Sequence, residues 1–209
     1  MKISYAITVC NEFVEIQRLI AFLLKNKRTQ DEIVVLVDMT KNEPTSELLG
    51  YLHRLSSSNY IHLSEQNFNN HFADWKNYLT SRCSGDYIFQ IDADELPAED
   101  LIQALPEIIE LNPEMDVYLV PRVNTVEGLT PEHIAKWGWN VTDTGWVNWP
   151  DFQWRIWKNV PEIKWVNKVH EHLDGFKTYT ALPDVEYFAL YHPKTIEKQE
   201  KQNNYYDTL

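Results

Sequence analysis

The feature that most narrows the fold is an alternation through the first half of the chain, where short β-branched runs take turns with segments of helical periodicity. Residues 3–9 read as a first strand. Phe13, Ile16, Leu19, Ile20, Leu23 and Leu24 then recur at helical spacing up to a basic stretch at 25–28. Asn11, just ahead of this run, reads as its N-cap. Residues 33–37 give a second strand ending at Asp38, 48–55 a second helix, 60–63 a short third strand and 72–79 a further helix. Residues 87–91 form a largely apolar strand that runs into Asp92. Pro97 stands where a helix can start, and Leu101, Ile102, Leu105, Ile108, Ile109 and Leu111 follow at mostly helical spacing, with Pro106 expected to break or kink the run. Residues 117–120 make another strand. Strands separated by helical crossovers build a sheet of mostly parallel strands covered by helices, so an α/β fold is expected.

Beyond about residue 125 the character changes. Glycine, proline and tryptophan crowd in, and seven of the eight tryptophans lie between Trp137 and Trp165. Large aromatics dominate buried area, so most of these rings read as core and rim packing, with Trp146 and Trp149 the ones expected to be exposed. Short strands are expected at 153–157 and 185–191, and a polar, exposed terminal helix at 195–206. No internal repeat or low-complexity tract interrupts the chain.

A chain of 209 residues buries a substantial core without staples, and two cysteines, Cys10 and Cys83, fit free thiols better than a disulfide framework. No run of about 18 apolar residues is present, so a cytoplasmic protein without a transmembrane segment is expected. Nineteen basic against thirty-one acidic residues give a formal charge of -12, which disfavours a nucleic-acid partner. It also means that a diphosphate ligand would need a local cation.

In open α/β sheets ligands bind beyond the carboxyl ends of the strands. The polar residues there are Thr8 to Glu12 after the first strand, Asp38 after the second, and Asp92 to Glu95 after the strand at 87–91. Asp92 and Asp94, two apart, can face one hard cation with oxygen ligands. Each of these groups has a plainer reading as a capping or solvated side chain, and position at converging strand ends is what favours a site.

Several motifs in this order resemble the family 2 glycosyltransferases, inverting enzymes of the GT-A fold. They are Ile7-Thr8-Val9-Cys10-Asn11-Glu12, the strand ending at Asp38, Phe72-Ala73-Asp74-Trp75-Lys76-Asn77, and Gly85-Asp86-Tyr87-Ile88-Phe89-Gln90-Ile91-Asp92-Ala93-Asp94-Glu95. Phe152-Gln153-Trp154-Arg155-Ile156-Trp157, Val169-His170-Glu171 and Tyr191-His192-Pro193 look like the branch that modifies lipopolysaccharide cores and related phage glycans. The resemblance implies one GT-A domain over residues 1–209, with a nucleotide-sugar half at 1–122 and an acceptor half at 123–209. It implies a donor pocket of Thr8, Asn11, Glu12, Asp38, Lys76, Asp92 and Ala93. A divalent cation, Mn2+ or Mg2+, would be held by Asp92 and Asp94 with His192 as a further ligand, and His170 and His172 compete for that last role. The implied general base is Glu171, with Asp151 as the runner-up. The implied partners are a nucleotide-diphosphate sugar, with UDP the expected nucleotide, and a hydroxyl acceptor on a glycan. In this family Lys76 is more often arginine, so the bidentate fork is lost here while the charge is kept.

Two other classes share parts of this pattern. A nucleotidyltransferase also has a carboxylate-metal site, but usually a glycine-rich basic loop after the first strand, where this chain has Cys10-Asn11-Glu12-Phe13. A non-catalytic carbohydrate-binding domain would use the tryptophans alone.

Overall fold

The computed structural model describes residues 1–40 and 44–206. Its elements in chain order are β1 (Ile3–Val9), α1 (Phe13–Asn26), β2 (Glu32–Asp38), α2 (Ser46–Ser57), β3 (His62–Gln66), α3 (Phe72–Ser81), β4 (Tyr87–Asp92), β5 (Leu96–Pro97) and α4 (Glu99–Leu111). They continue with β6 (Val117–Val120), β7 (Arg122–Glu127), α5 (Pro131–Trp137), β8 (Gln153–Lys158), β9 (Lys164–Val166), β10 (His172–Asp174), β11 (Tyr179–Ala181), β12 (Leu190–Thr195) and α6 (Ile196–Tyr206).

A seven-stranded sheet runs in the order β11-β6-β8-β4-β1-β2-β3. β1 pairs in parallel with both β2 and β4, and β2 with β3, so four strands end at one edge. Both faces of this sheet are covered, which is why β2 is apolar almost throughout. Residues of alternate parity go to opposite sides: Ile33, Val35 and Val37 join one core, Val34 and Leu36 the other. Helices α1, α2 and α4 pack on the first face and α3 on the second. α1 buries Ile16, Leu19, Ile20 and Leu23 completely, worth about 6–12 kcal/mol before the entropy of ordering them is subtracted. The turn into β4 requires glycine: a Cβ on Gly85 would stand 2.7 Å from the Ser4 amide nitrogen.

Two later features position the site. β8 inserts antiparallel between β4 and β6, pairing Phe89 with Ile156, and so brings Arg155 beside the end of β4. A three-stranded sheet, β5-β12-β7, lies alongside, and its parallel β12–β7 pair sets His192 opposite Asn124. No helix among the described residues is long and apolar enough to cross a membrane.

Several local expectations are corrected. The α1 cap is Glu12, not Asn11, and its carboxylate accepts from the Cys10 and Asn11 backbone N–H groups at 2.9 and 3.1 Å. The third strand lies at His62–Gln66 rather than 60–63, because Asn59 at φ +59° turns the chain and the Tyr60 N–H closes the end of α2 on Leu55. Pro97 does not start a helix. It pairs with Leu190 in β5, and α4 begins at Glu99. Pro106 does not break α4, which continues to Leu111; the missing proline N–H removes one helical hydrogen bond without ending the amphipathic face. The strand expected at 185–191 is a 3-10 turn at Glu186–Phe188 followed by β12, so His192 lies within a strand rather than after one. β7 and α5 had no counterpart in the sequence reading.

Candidate active site

A cleft of about 760 Å³ opens at the carboxyl ends of β1, β2 and β4. Thr8, Glu12, Asp38, Lys76, Asp92, Ala93, Asp94, Asp151, Glu171 and His192 all line it. Asn11 does not; it is exposed and borders a smaller neighbouring cavity between the start of α1 and α6. Asp38 at the end of β2 accepts from the Thr40 and Phe68 backbone N–H groups at 2.7 and 3.1 Å, which fixes the carboxylate at the cleft rim.

Asp92 closes β4. Its Oδ1 accepts from the Thr8 hydroxyl and the Gln90 amide, both at 3.3 Å, and its Oδ2 from Arg155 Nη2 at 2.7 Å. The same guanidinium reaches Glu95 Oε1 at 2.6 Å, while Glu95 Oε2 accepts from the Asp92 backbone N–H at 3.1 Å. Glu95 and Arg155 are almost wholly buried, and a third of the Asp92 side chain is open to the cleft. Burial would raise the Asp92 carboxyl, but the Arg155 charge, with Lys76 behind it, holds it well below the usual carboxylate range.

Asp94 lies around the turn and faces the other way, toward β12 and α6. His192 Nε2 is 3.4 Å and Lys198 Nζ 3.1 Å from its Oδ2. Burial pushes this carboxyl up as well, and His192 and Lys198 more than reverse that push. Across the cleft, Lys76 Nζ pairs with Glu171 Oε1 at 2.6 Å and sits 4.2 Å from the centre of the Trp165 ring. Lys76 therefore serves Glu171 and Trp165 rather than open solvent. His170 also lines the cleft, whereas His172 is exposed and lies 3.3 Å from the Asn167 amide.

Asp151, a quarter exposed, is held by three side chains. Its Oδ2 accepts from Arg122 Nε at 2.9 Å and Asn124 Nδ2 at 2.6 Å, and its Oδ1 from Gln153 Nε2 at 3.0 Å. Its backbone has φ +34°, a region that β-carbon sterics disfavour, so this bonding maintains a strained position. Arg122 also reaches Glu95 at 3.2 Å. Polar contacts thus run in sequence from Asp92 through Arg155, Glu95, Arg122, Asp151, Asn124 and His192 to Asp94.

The sequence reading missed Arg122, Asn124, Arg155 and Lys198. Arg155 carried a signal, since a lone arginine in the apolar run Gln153-Trp154-Arg155-Ile156-Trp157 has to be paired if that strand is internal. Among the rings, Trp157 and Trp165 are buried, while Trp146 and Trp149 are half-buried against each other at 4.8 Å rather than exposed.

Asp94 supplies an oxygen donor of the kind that Mn2+ and Mg2+ accept, and His192 a nitrogen donor that suits Mn2+ better than Mg2+. Among the described residues no three His, Cys, Asp or Glu side chains are gathered into a cage, so further ligands would come from a diphosphate and water, as is usual for Mg2+.

A profile of the family described as Glycosyl transferase family 2 matches residues 4–191. Among solved structures, S. aureus TarS 1-349 superimposes with a TM-score of 0.63 at 16% identity, covering 92% of this chain and 60% of that one. The same protein in complex with UDP-GlcNAc gives 0.62 at 17% identity, covering 93% and 59%. S. aureus TarS without that truncation gives 0.62 at 15% identity, covering 97% and 38%. These likenesses are of fold, and they match the GT-A architecture expected from the strand and helix pattern. The chain spans 38 to 60% of the length of those TarS chains. No curated protein sequence matches it significantly.

Proposed function

The chain belongs to glycosyl transferase family 2, and on that basis we propose that it moves a sugar from a nucleotide-diphosphate donor to a glycan hydroxyl with inversion. The observation that carries this reading is the meeting of Thr8, Asp38 and Asp92–Asp94 in one cleft with Glu171 on its far wall. In this assignment Thr8 and Asp38 contact the nucleoside, and Asp92, locked by Arg155, presents its open face to the ribose. Asp94 and His192 would hold Mn2+ or Mg2+. The chemistry such an ion supplies is neutralisation of the leaving diphosphate.

Glu171 is assigned as general base in preference to Asp151. A base needs a lone pair turned to the acceptor: Asp151 accepts from three side chains over its two oxygens, whereas Glu171 is paired with Lys76 through Oε1. Glu171 takes the acceptor proton as the acceptor oxygen bonds to the anomeric carbon, and the bond to the diphosphate breaks on the opposite face. Lys76 orients this carboxylate. The UDP-GlcNAc bound by TarS suggests uridine diphosphate sugars as the first donors to try. The acceptor we place in the lipopolysaccharide-core or phage-glycan class, on the sequence motifs around Arg155, Glu171 and His192.

The test is donor turnover with a panel of UDP- and GDP-sugars. Glu171→Gln should lower transfer by about 100- to 10,000-fold with donor affinity unchanged. If Glu171→Gln retains transfer and Asp151→Asn loses it, the base assignment is wrong. Failure of every nucleotide sugar to bind would remove the function as well.

A further inference from the structure

His192 has two neighbours of different kinds. Its Nδ1 is 2.9 Å from Asn124 Oδ1, and its Nε2 is 3.4 Å from Asp94 Oδ2. An asparagine amide can present either end, so by itself Asn124 would not decide which imidazole nitrogen carries the proton. Asp151 decides it. Held by Arg122 at 2.9 and 2.8 Å, its carboxylate can only accept, so the Asn124 NH2 group must face it, at 2.6 Å. That leaves Asn124 Oδ1 for the imidazole, and an oxygen that only accepts requires a proton on Nδ1. In the neutral ring Nε2 then carries a lone pair aimed at a second acceptor, the Asp94 carboxylate. Both side chains are largely buried, at 8 and 17% exposure. Facing each other at 3.4 Å, these two acceptors call for either a second proton on the imidazole or a metal cation between them. Had the amide been reversed, Nε2 would carry hydrogen and could not ligate one.

We propose that Asn124 and Asp151 are positioning residues that hold His192 in its Nδ1–H form, so that Nε2 is available as a cation ligand beside Asp94. The inference rests on the metal-site reading of the proposed function. It adds to that reading a device, built two residues away, that selects the ligating nitrogen. Partners of this sort that fix a metal-binding histidine commonly change metal affinity by about 10- to 100-fold.

Two measurements on the full chain test it. The first needs no metal: nitrogen-15 spectra of His192 in metal-free protein at pH 9. Nδ1 is expected to be protonated, whether the ring is neutral or charged, and Asn124→Leu should shift the neutral ring toward Nε2–H. A neutral Nε2–H ring in the parent protein overturns the proposal.

The second measures affinity for Mn2+ alone by calorimetry, with folding checked by circular dichroism. Asn124→Leu is expected to bind about 10- to 100-fold more weakly. Asp151→Leu leaves Asn124 in place but removes the acceptor that fixes its amide, so it should also weaken binding and shift the neutral His192 ring toward Nε2–H. If Asn124→Leu binds Mn2+ as the parent does, or if Asp151→Leu leaves both the Mn2+ affinity and the nitrogen-15 spectrum of His192 unchanged, the two residues are merely structural and the proposal fails. A parent protein that does not bind Mn2+ sinks the metal reading itself, a result distinct from either of these.

Discussion

Replacing Arg155 with methionine removes the one cation shared by Asp92 and Glu95 and keeps much of the side-chain volume. In the parent, Arg155 is 3% exposed and bonds to the two carboxylates at 2.7 and 2.6 Å. Removing one partner of a buried ion pair leaves a charge without compensation, at a cost of about 3–5 kcal/mol. Glu95 keeps Arg122 and the Asp92 N–H, and Asp92 keeps Thr8, Gln90 and access to water, so the cost is expected at the lower end of that range, about 3 kcal/mol. For a chain of this size, each kcal/mol is worth about 2–4 °C in Tm, so a fall of about 6–12 °C is expected at pH 7.5. The pH dependence follows from the direction of the shift. Asp92 is held below its ordinary 3.8, so its charged form stabilises the parent above that pH, and the contribution is lost as pH falls through the folded value. In the variant burial is no longer opposed by Arg155, so the carboxyl rises and its charged form loses much of that advantage at pH 7.5. The gap between parent and variant should therefore narrow from pH 7.5 to pH 4.5 in paired urea titrations. A loss under about 1 kcal/mol at pH 7.5, the value of an exposed pair, would refute the reasoning. So would a gap of the same size at both pH values.

Lys198→Gln removes an ammonium 3.1 Å from Asp94, on a side chain that is 39% exposed. Affinity for Mn2+ alone should rise by up to about fivefold, the equivalent of an exposed pair, as read by calorimetry. Glu32 is a structural counterpart far from the cleft. Burial would raise its carboxyl, but Lys2, the Ser4 hydroxyl and Ser84 bring it down from 4.5 to about 2. Glu32→Gln should cost about 1.5–3 kcal/mol at pH 7. Because the folded value is depressed, that contribution is present above pH 4.5 and fades as pH falls toward 2. Urea midpoints at pH 7 and pH 3 would show it, and an unchanged difference between them would contradict it.

The parts of the site that were legible in the sequence lie next to strand ends. Thr8, Asp38 and Asp92 follow apolar runs whose parallel pairing is implied by helical crossovers, so local pattern was enough to bring them to one edge. His192 was found by motif order although the strand around it was misplaced by several residues. Arg155, Arg122 and Asn124 could not be placed in the same way. Their positions depend on β8 entering the sheet antiparallel between β4 and β6, and on β7 pairing with β12 some 70 residues later. Such register is set by long-range packing, and no local periodicity encodes it. Asn11 failed as the cap for a local reason: α1 starts at Phe13 with Glu12 at the cap position, and the Glu12 carboxylate turns back to the Cys10 and Asn11 N–H groups rather than to the helix amides.

These missed residues also explain how an acidic chain holds Asp92, Asp94, Glu95 and Asp151 so close together. Arg155 bridges Asp92 to Glu95, Arg122 bridges Glu95 to Asp151, and His192 with Lys198 flanks Asp94. From Asp92 to Asp151 acids and arginines alternate, and Asn124 and His192 carry the hydrogen bonding on to Asp94, so each carboxylate is fixed before any ligand arrives. Asp92, through its open third, and Asp94, through a contact to a partly exposed lysine, keep a face that a ligand could use without breaking the arginine bonding. The other two, Glu95 and Asp151, are committed to arginines. On this division of labour, substitutions at Glu95 or Asp151 should act first on the geometry and stability of the cleft, and those at Asp94 first on what it binds.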